Sequence, residues 1–437
     1  MHIFFSGIGG AGIGPLALIA KQAGYDVSGS DAKDSSYISY LKKQGIYDIH
    51  IGQTKEQISD LHSKNPIDWF VYSSALPMTD PNHPELAFCR DKSIKATRRD
   101  ELLNEILSQK KLKLVAIAGT HGKTTTTAMA IWLFKQLQLP VSYSVGAKLS
   151  FGDMGHFTDK SEYFIYEADE FDRNFLNFYP ELGIISGLDW DHPDIYPTRE
   201  SYYEAFSEFI DQSNRTALWH DDAEKLGLEV SDEMLILDEK DPLIDHRIAL
   251  PGHVNRLDAW LVSHALQPII DRPIDEILGA ANRFPGVSRR FEKLAANLYT
   301  DYAHTPAKIR GALQLAHEVA GDNVVVIYEG LHNLRQHFIK DELASLFDEV
   351  KQLYIVPSYL ARENKDLELL TPDKLLNMLS NSSQSHTQAA QLNDQLATDI
   401  RKHSSAGDLV LCLTAGGTGS LDEWLRQNIS RKPQAES

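Results

Sequence analysis

The segment Val115-Ala-Ile-Ala-Gly-Thr-His-Gly-Lys-Thr-Thr-Thr-Thr127 constrains the fold of this chain more than any other. The apolar, β-branched run at 114–117 reads as a buried strand. After the loop, Ala128, Met129, Ile131, Trp132 and Leu133 recur at helical spacing. A strand, a glycine loop and a helix N-terminus form a geometry that binds phosphate. The glycines let backbone N–H groups approach the anion, and the helix dipole favours negative charge there. In such a loop Lys123 reaches the β- and γ-phosphates, and the Thr124 hydroxyl binds Mg²⁺. The usual phosphate loop opens with one more glycine, and here that position is Ile117. A chance Gly-Lys-Thr in a surface loop is the plain alternative. The strand before and the helix after argue against it.

A second glycine loop stands at the start of the chain. Residues 2–5 read as a strand, followed by Gly7-Ile-Gly9-Gly10-Ala-Gly12 and a helix over about 13–23. A second strand then ends in Asp31, near the distance expected for a ribose contact. The obvious reading is a nicotinamide oxidoreductase. The physical content is narrower: this half binds a diphosphate with a ribose attached, which a uridine diphosphate sugar satisfies as well as NAD. Further strands are expected at 69–72, ending in Ser73-Ser-Ala75, and near Ile94. Arg98, Arg99 and Glu101 open a helix ending near 108, and Lys110-Lys-Leu-Lys113 reads as a polar linker.

Beyond the phosphate loop, two strands end in acids: Tyr163-Phe-Ile-Tyr166 in Glu167-Ala-Asp169-Glu170, and Leu182-Gly-Ile-Ile-Ser186 in Asp189-Trp-Asp191-His192. Acids at strand C-termini sit where open α/β sheets place ligands, although acids after strands also cap turns. Beside a phosphate loop they suggest Mg²⁺ ligands and a γ-phosphate environment. Residues 212–250 are polar and acidic, with short strand-like runs, and carry little further signal. Leu250-Pro-Gly-His-Val-Asn255 precedes an apolar helix, and Arg289-Arg290-Phe-Glu292 follows it. A third α/β unit starts near 294. A strand at 298–302 leads into Ala303-His304-Thr-Pro306, with proline in the first helical turn. Apolar strands follow at 323–328, 352–356 and 408–413. Gly416-Gly-Thr-Gly419 reads as a strand-to-helix turn, and 431–437 as a frayed tail.

The length of 437 residues suggests two to four domains. A net charge of −18 argues against nucleic acid as a partner, but a local basic site can still hold a small anion. Cys89 and Cys412 are expected as reduced, buried thiols in a cytoplasmic protein. The N-terminal segment lacks a basic stretch and runs straight into a fold signal, so no signal peptide is expected. No apolar run is long enough to span a membrane.

Taken together, these motifs resemble the Mur ligases, ATP-dependent amide-forming enzymes of peptidoglycan assembly. The likeness rests on Gly7-Ile-Gly-Gly-Ala-Gly12, Ala118-Gly-Thr-His-Gly-Lys-Thr-Thr-Thr-Thr127, Glu167-Ala-Asp-Glu170, Asp191-His192, Arg290 and Asp301-Tyr-Ala-His-Thr-Pro306, in family order along nearly the whole chain. The resemblance implies an α/β fold of three domains. These are a Rossmann-like sugar-nucleotide domain at 1–108, a central phosphate-loop ATPase domain at 109–293 and a Rossmann-like acceptor domain at 294–437. It implies that Gly119, Thr120, His121, Gly122, Lys123, Thr124 and Thr125 hold ATP, with Asn255 near the adenine, Arg290 on the phosphates and Asp301 on the ribose. Thr124, Glu167 and His192 would contact Mg²⁺. Gly7, Gly9, Gly10 and Gly12, with Asp31, Ser73 and Arg99, would hold the uridine diphosphate sugar. His304 and Arg335 join Lys123, Glu167 and His192 as the catalytic set.

Within the family, the resemblance leans to the branch that joins L-alanine to UDP-N-acetylmuramate, as a monomer or weak homodimer. A second branch attaches a preformed murein tripeptide to the same sugar nucleotide. Some positions depart from the alanine-adding pattern. Gly187 and Asp189 stand where Asn and Glu are frequent. Leu331-His332-Asn333-Leu334-Arg335 replaces His-Arg-Tyr-Thr-Arg, so Arg335 is kept and His332 takes the first Arg's place. Tyr302 and His304 keep the neighbouring pattern, whereas Phe171 and Arg173 lean to the peptide-adding branch. An oxidoreductase leaves the Gly-Lys-Thr loop unexplained. A nucleotide switch leaves the third domain and His304 without a role.

Overall fold

The computed structural model describes residues 1–73, 76–77, 80–192, 195–360, 366–414, 416 and 419–429. Of the sequence expectations, Ser74 and Ala75, Gly417 and Thr418, and the tail at 431–437 lie outside these residues. The chain forms two compact units, one of Met1–Ile248 with Leu257–Pro285, the other of Ala249–Arg256 with Gly286–Ser437.

The first unit contains two sheets. One is fully parallel, in the spatial order Ile49–Ile51, Asp26–Asp31, His2–Ser6, Trp69–Tyr72, Lys95–Arg98. Its strand order reverses beside His2–Ser6, which opens a crevice at the C-terminal strand ends. The loop at 7–12 and Ser73 both emerge there. The other sheet runs Met234–Leu237, Thr216–Trp219, Leu182–Ile185, Lys113–Ala118, Tyr163–Glu167, Ser142–Ser144, Gly155–His156, and only the last strand is antiparallel. Lys113–Ala118 is central, so both its faces are covered. Its run Leu114 to Ala118 is accordingly apolar and buried without alternation.

One expectation changes here, and one segment gains definition. The polar linker at 110–113 does not exist as a spacer. Helix Arg99–Lys110 ends at Lys111, whose φ of 55° closes the helix in a left-handed cap, and the next strand begins at Lys113. Residues 212–250, weak in sequence, supply strands Thr216–Trp219 and Met234–Leu237 and helices His220–Leu226 and Leu243–Arg247. One apolar cluster runs through both sheets of this unit, from Ile3, Phe5 and Leu103 to Phe164, Phe206 and Leu218.

The second unit carries one sheet, in the order Glu292–Ala295, Leu298–Asp301, Leu409–Leu413, Val324–Leu331, Gln352–Tyr359, Thr387–Ala389. Glu292–Ala295 is antiparallel and the rest are parallel. Helix Pro306–Ala320 carries proline in its first turn, where the missing N–H breaks no helical bond. Strand Val324–Leu331 is buried along its whole length. Its C-terminal end delivers His332 and helix Asn333–Leu346.

Candidate active site

The phosphate loop leaves the buried strand Lys113–Ala118, and Gly122 caps helix Lys123–Gln136. Gly119 and Gly122 have φ of +140° and +79°, in the region that favours glycine. A Cβ at Gly119 would meet Ser186 Oγ at 2.5 Å, so the loop lies directly against the end of strand Leu182–Ile185. Ser186 Oγ donates to the carbonyls of Ala118 and His121, at 3.1 and 2.5 Å. Thr120 N donates to Gly187 O at 2.8 Å, and Thr120 Oγ1 accepts from Asp189 N at 2.8 Å. The departure at Gly187 has a steric reason. Its φ is +154°, and the His121 ring occupies the space a Cβ would need. Ile117, where a further glycine is usual, is a fully buried strand residue.

The charges of the loop are paired inside the unit. Lys123 Nζ donates to Gly119 O at 2.6 Å and stands 2.7 Å from Glu170 Oε2. Burial is the largest influence on Lys123 and works against its charge. The carboxylates of Glu170, Asp169 and Glu167 outweigh it and hold the ammonium above its ordinary value. Burial pushes the Glu170 carboxyl up, opposed by Lys123. Thr124 Oγ1 donates to Glu167 Oε1 at 2.7 Å, and Gly146 N donates to Glu167 Oε2 at 2.6 Å. His192 Nε2 faces Glu170 Oε1 at 3.7 Å, and Tyr196 OH donates to the Glu170 carbonyl at 2.6 Å. Thr125 lies in the first turn of the same helix as Lys123.

The first glycine loop is arranged differently. Gly7 has φ of +77°, and Gly9 N donates to Asp31 Oδ2 at 2.8 Å. A Cβ at Gly12 would strike the Arg99 guanidinium, which therefore lies over this loop. Arg99 Nη2 is 3.7 Å from Asp169 Oδ2. With the Asn174 amide oxygen turned towards Arg99, it accepts from Nε and Nη2 at 3.1 and 2.8 Å. Arg98 Nη1 pairs with Asp172 Oδ2 at 3.2 Å. Asp172 and Arg173 both have positive φ, 57° and 54°, so the turn they form is strained. Ser73 is half-buried at the end of strand Trp69–Tyr72, and Gly10 N donates back to Gly7 O.

In the second unit, Asp301 Oδ2 accepts from Phe291 N at 2.7 Å, and Arg290 Nη1 donates to Tyr302 O at 3.2 Å. Burial raises the Asp301 carboxyl, opposed by Arg290. His304 is buried with Nδ1 3.0 Å from Tyr302 O. Burial, then the positive charges of Lys308, Arg335 and Arg290, hold its pKa well below the usual histidine value. The ring is therefore neutral near pH 7, with Nδ1–H donating to Tyr302 and the lone pair on Nε2. Arg335 is in the first turn of helix Asn333–Leu346, and His332 is its N-cap with φ of 53°. His332 thus stands just outside the helix rather than on its face. Asn255 Nδ2 donates to Pro251 O at 2.8 Å at the start of helix His253–Ile270.

The partners of several of these residues have no local signature in the sequence. Glu170 was visible only as the last member of an acidic cluster, and the turn decides that it faces Lys123. Ser186 carried no signal beyond ending a strand. Arg98 stands at a helix start, and its partner Asp172 lies far along the chain.

Models of the Mur ligase family catalytic domain, the Mur ligase middle domain and the Mur ligase glutamate ligase domain match residues 2–111, 117–233 and 289–416. A UDP-N-acetylmuramate–L-alanine ligase of Clostridium beijerinckii is 30% identical, with 95% of each chain covered. Among solved structures, a UDP-N-acetylmuramate-alanine ligase of Thermotoga maritima aligns with a TM-score of 0.74 at 24% identity, covering 99% of each chain. A murein peptide ligase of Psychrobacter arcticus aligns with a TM-score of 0.63 at 21% identity, covering 98% of each chain. The ordered domain matches and the full-length relative establish that the chain belongs to the Mur ligase family.

Proposed function

We propose that the protein joins L-alanine to UDP-N-acetylmuramate and cleaves ATP to ADP and phosphate in doing so. The observation that carries this reading is the phosphate loop of the first unit, with Lys123 held on Glu170 and Thr124 on Glu167. In the same unit a second glycine loop lies under Arg99. One loop suits the phosphoryl donor, the other a nucleotide that stays intact. The full-length likeness to L-alanine ligases supports the acceptor. The labour divides over residues 1–108, 109–293 and 294–437, for sugar nucleotide, ATP and acceptor in turn.

The chemistry follows from these groups. A carboxylate oxygen of the sugar nucleotide attacks the γ-phosphorus, and the bond to the ADP oxygen breaks. The amine of alanine attacks the acyl carbon, loses a proton, and inorganic phosphate leaves with the electron pair. Both steps need positioning and charge stabilisation rather than a protein nucleophile. Lys123 offsets the repulsion between the attacking carboxylate and the γ-phosphate. Mg²⁺ fits this site: Thr124 and Glu167 offer hard oxygen donors, and the carboxylates of Glu167, Asp169 and Glu170 exceed the single charge of Lys123. When bound, the ion would supply further neutralisation of the phosphates; Thr124, Glu167 and, by family likeness, His192 would hold it. Asn255, Arg290 and Asp301 are assigned to the nucleotide by family likeness. In the second unit, Arg335 is suited to hold the acceptor carboxylate in a bidentate pair, and His304 is assigned to the catalytic set by family likeness.

The reaction belongs in the cytoplasm, where ATP and sugar nucleotides are made; among the described residues no helix is long and apolar enough to cross a membrane. We take the active species as a monomer or weak homodimer. The test is phosphate release with UDP-N-acetylmuramate and each candidate amine, for the wild type and Arg335→Ala. The variant should raise the KM for alanine about tenfold or more and leave that for ATP nearly unchanged. An unmoved alanine KM would remove Arg335 from the acceptor site. Turnover with a murein tripeptide but not with alanine would replace the acceptor, a reading that His332 in the altered motif keeps in view.

A further inference from the structure

The first sheet buries a carboxylate that the reaction above does not use. Glu85, in the first turn of helix Pro84–Asp91, is 1% exposed. Ser6 Oγ donates to Glu85 Oε2 at 2.6 Å. Gln53 Nε2 donates to Ser6 Oγ at 2.8 Å and lies 3.4 Å from both Ser30 Oγ and Glu85 Oε2. Ser6 and Ser30 face each other in register on neighbouring strands.

What lies above these serines gives the network its meaning. The chain passes from Ser6 directly into Gly7. The Ser30 carbonyl accepts from Gly7 N at 2.8 Å and from Ile8 N at 2.9 Å. The residue after Ser30 is Asp31, which accepts from Gly9 N. The two serines are therefore the floor of the first glycine loop, and Glu85 ties them together from beneath. A loop that presents N–H groups to a diphosphate tolerates little displacement before its hydrogen bonds fail. Removing Glu85 would leave the Ser6 hydroxyl without its acceptor in a place closed to water.

We propose that Glu85 is a positioning residue for the sugar nucleotide: through Ser6, Ser30 and Gln53 it fixes the two strand ends from which the loop at 7–12 and Asp31 project. The inference rests on the reading of that loop as the sugar-nucleotide site. Burial pushes the Glu85 carboxyl above its ordinary range, against hydrogen bonds from Ser30, Ser6 and Gln53. The role needs an acceptor oxygen rather than a charge, so an amide at this position should largely serve.

The experiment is calorimetric titration of the full chain with UDP-N-acetylmuramate and, separately, with a non-hydrolysable ATP analogue and Mg²⁺. The variants are Glu85→Ala, Glu85→Gln and Ser6→Ala. Glu85→Ala and Ser6→Ala should weaken sugar-nucleotide binding about tenfold, with the ATP analogue within about twofold of wild type. Glu85→Gln should recover most of the loss. Unaltered sugar-nucleotide affinity in both alanine variants overturns the proposal, as does an equal loss for both ligands, which marks a merely structural role. If Glu85→Ala does not fold, Ser6→Ala and Gln53→Ala decide the matter by the same readout. A wild-type chain that fails to bind UDP-N-acetylmuramate overturns the functional reading itself and this inference with it; normal wild-type binding with unaltered variants overturns the inference alone.

Discussion

The loop at 7–12 and the loop at 119–122 each leave a parallel strand and enter a helix, yet their charge comes from different places. The first has no cation in its own sequence. Its guanidinium arrives from the helix that starts at Arg99, and an acid, Asp31, already occupies one of its N–H groups. The second carries Lys123 inside the motif, held on Glu170 and Gly119 O, with Thr124 beside Glu167. A diphosphate that only has to be held can be met by a borrowed charge and fixed backbone. A phosphoryl group that is transferred gathers charge as it moves, so its cation must be close, buried and unable to stray. The difference suggests that anchoring and chemistry have separate requirements even on one supersecondary plan.

The sharpest way to break this comparison is Lys123→Ala. Turnover should fall by on the order of 10²–10³ or more, while UDP-N-acetylmuramate affinity stays near wild type. Wild-type turnover with a normal melting curve would show that the loop at 119–122 is not the phosphoryl site. A smaller effect should come from Glu167→Ala, which ought to raise the Mg²⁺ concentration needed for half-maximal rate roughly tenfold, as loss of metal-site support commonly does. His192→Ala should shift it less, since its ring faces Glu170. Identical magnesium titrations for both variants and wild type would take these residues out of the site. The mildest change belongs to the other loop. Asp31→Ala should raise the KM for the sugar nucleotide several-fold, in keeping with the loss of one hydrogen bond worth about 1 kcal/mol net, and leave kcat and the ATP KM alone. A fall in kcat instead would blur the division between anchor and chemistry.

The two loops were legible in sequence because their constraints are local. Gly119 and Gly122 adopt backbone angles that other residues rarely take, and the apolar strand before them is a continuous run. The acids after Tyr166 and Ser186 stand at the ends of apolar strands, and those strands flank Lys113–Ala118. What could not be read depends on distant packing. Met234–Leu237, at the rim of its sheet, is an apolar run of only four residues between acidic stretches, too short for its period to tell strand from helix. Arg98 gains its partner only when Asp172 takes up a left-handed conformation. Glu85 sits in an ordinary helix start, and nothing nearby in sequence reveals two serines above it. At Gly187, an apparent lapse from the family pattern is the space that the His121 ring fills.

The joint at Lys111 bears on how such a chain can be rebuilt. Helix and strand meet there with no spacer, and a single apolar core passes from Ile3 and Phe5 to Phe164 and Phe206. Gly155 lies so close to helix Gly14–Gln22 that a Cβ would meet the Pro15 carbonyl at 2.6 Å, and Phe157 N donates to Gln22 Oε1 at 2.7 Å. Residues 1–108 are thus no interchangeable cassette. A chimaera that imported them from a relative would inherit half of a core whose other half had drifted separately. Exchanges that carry both sheets together keep the core intact, so the first two sheets are better treated as one heritable block than as two parts.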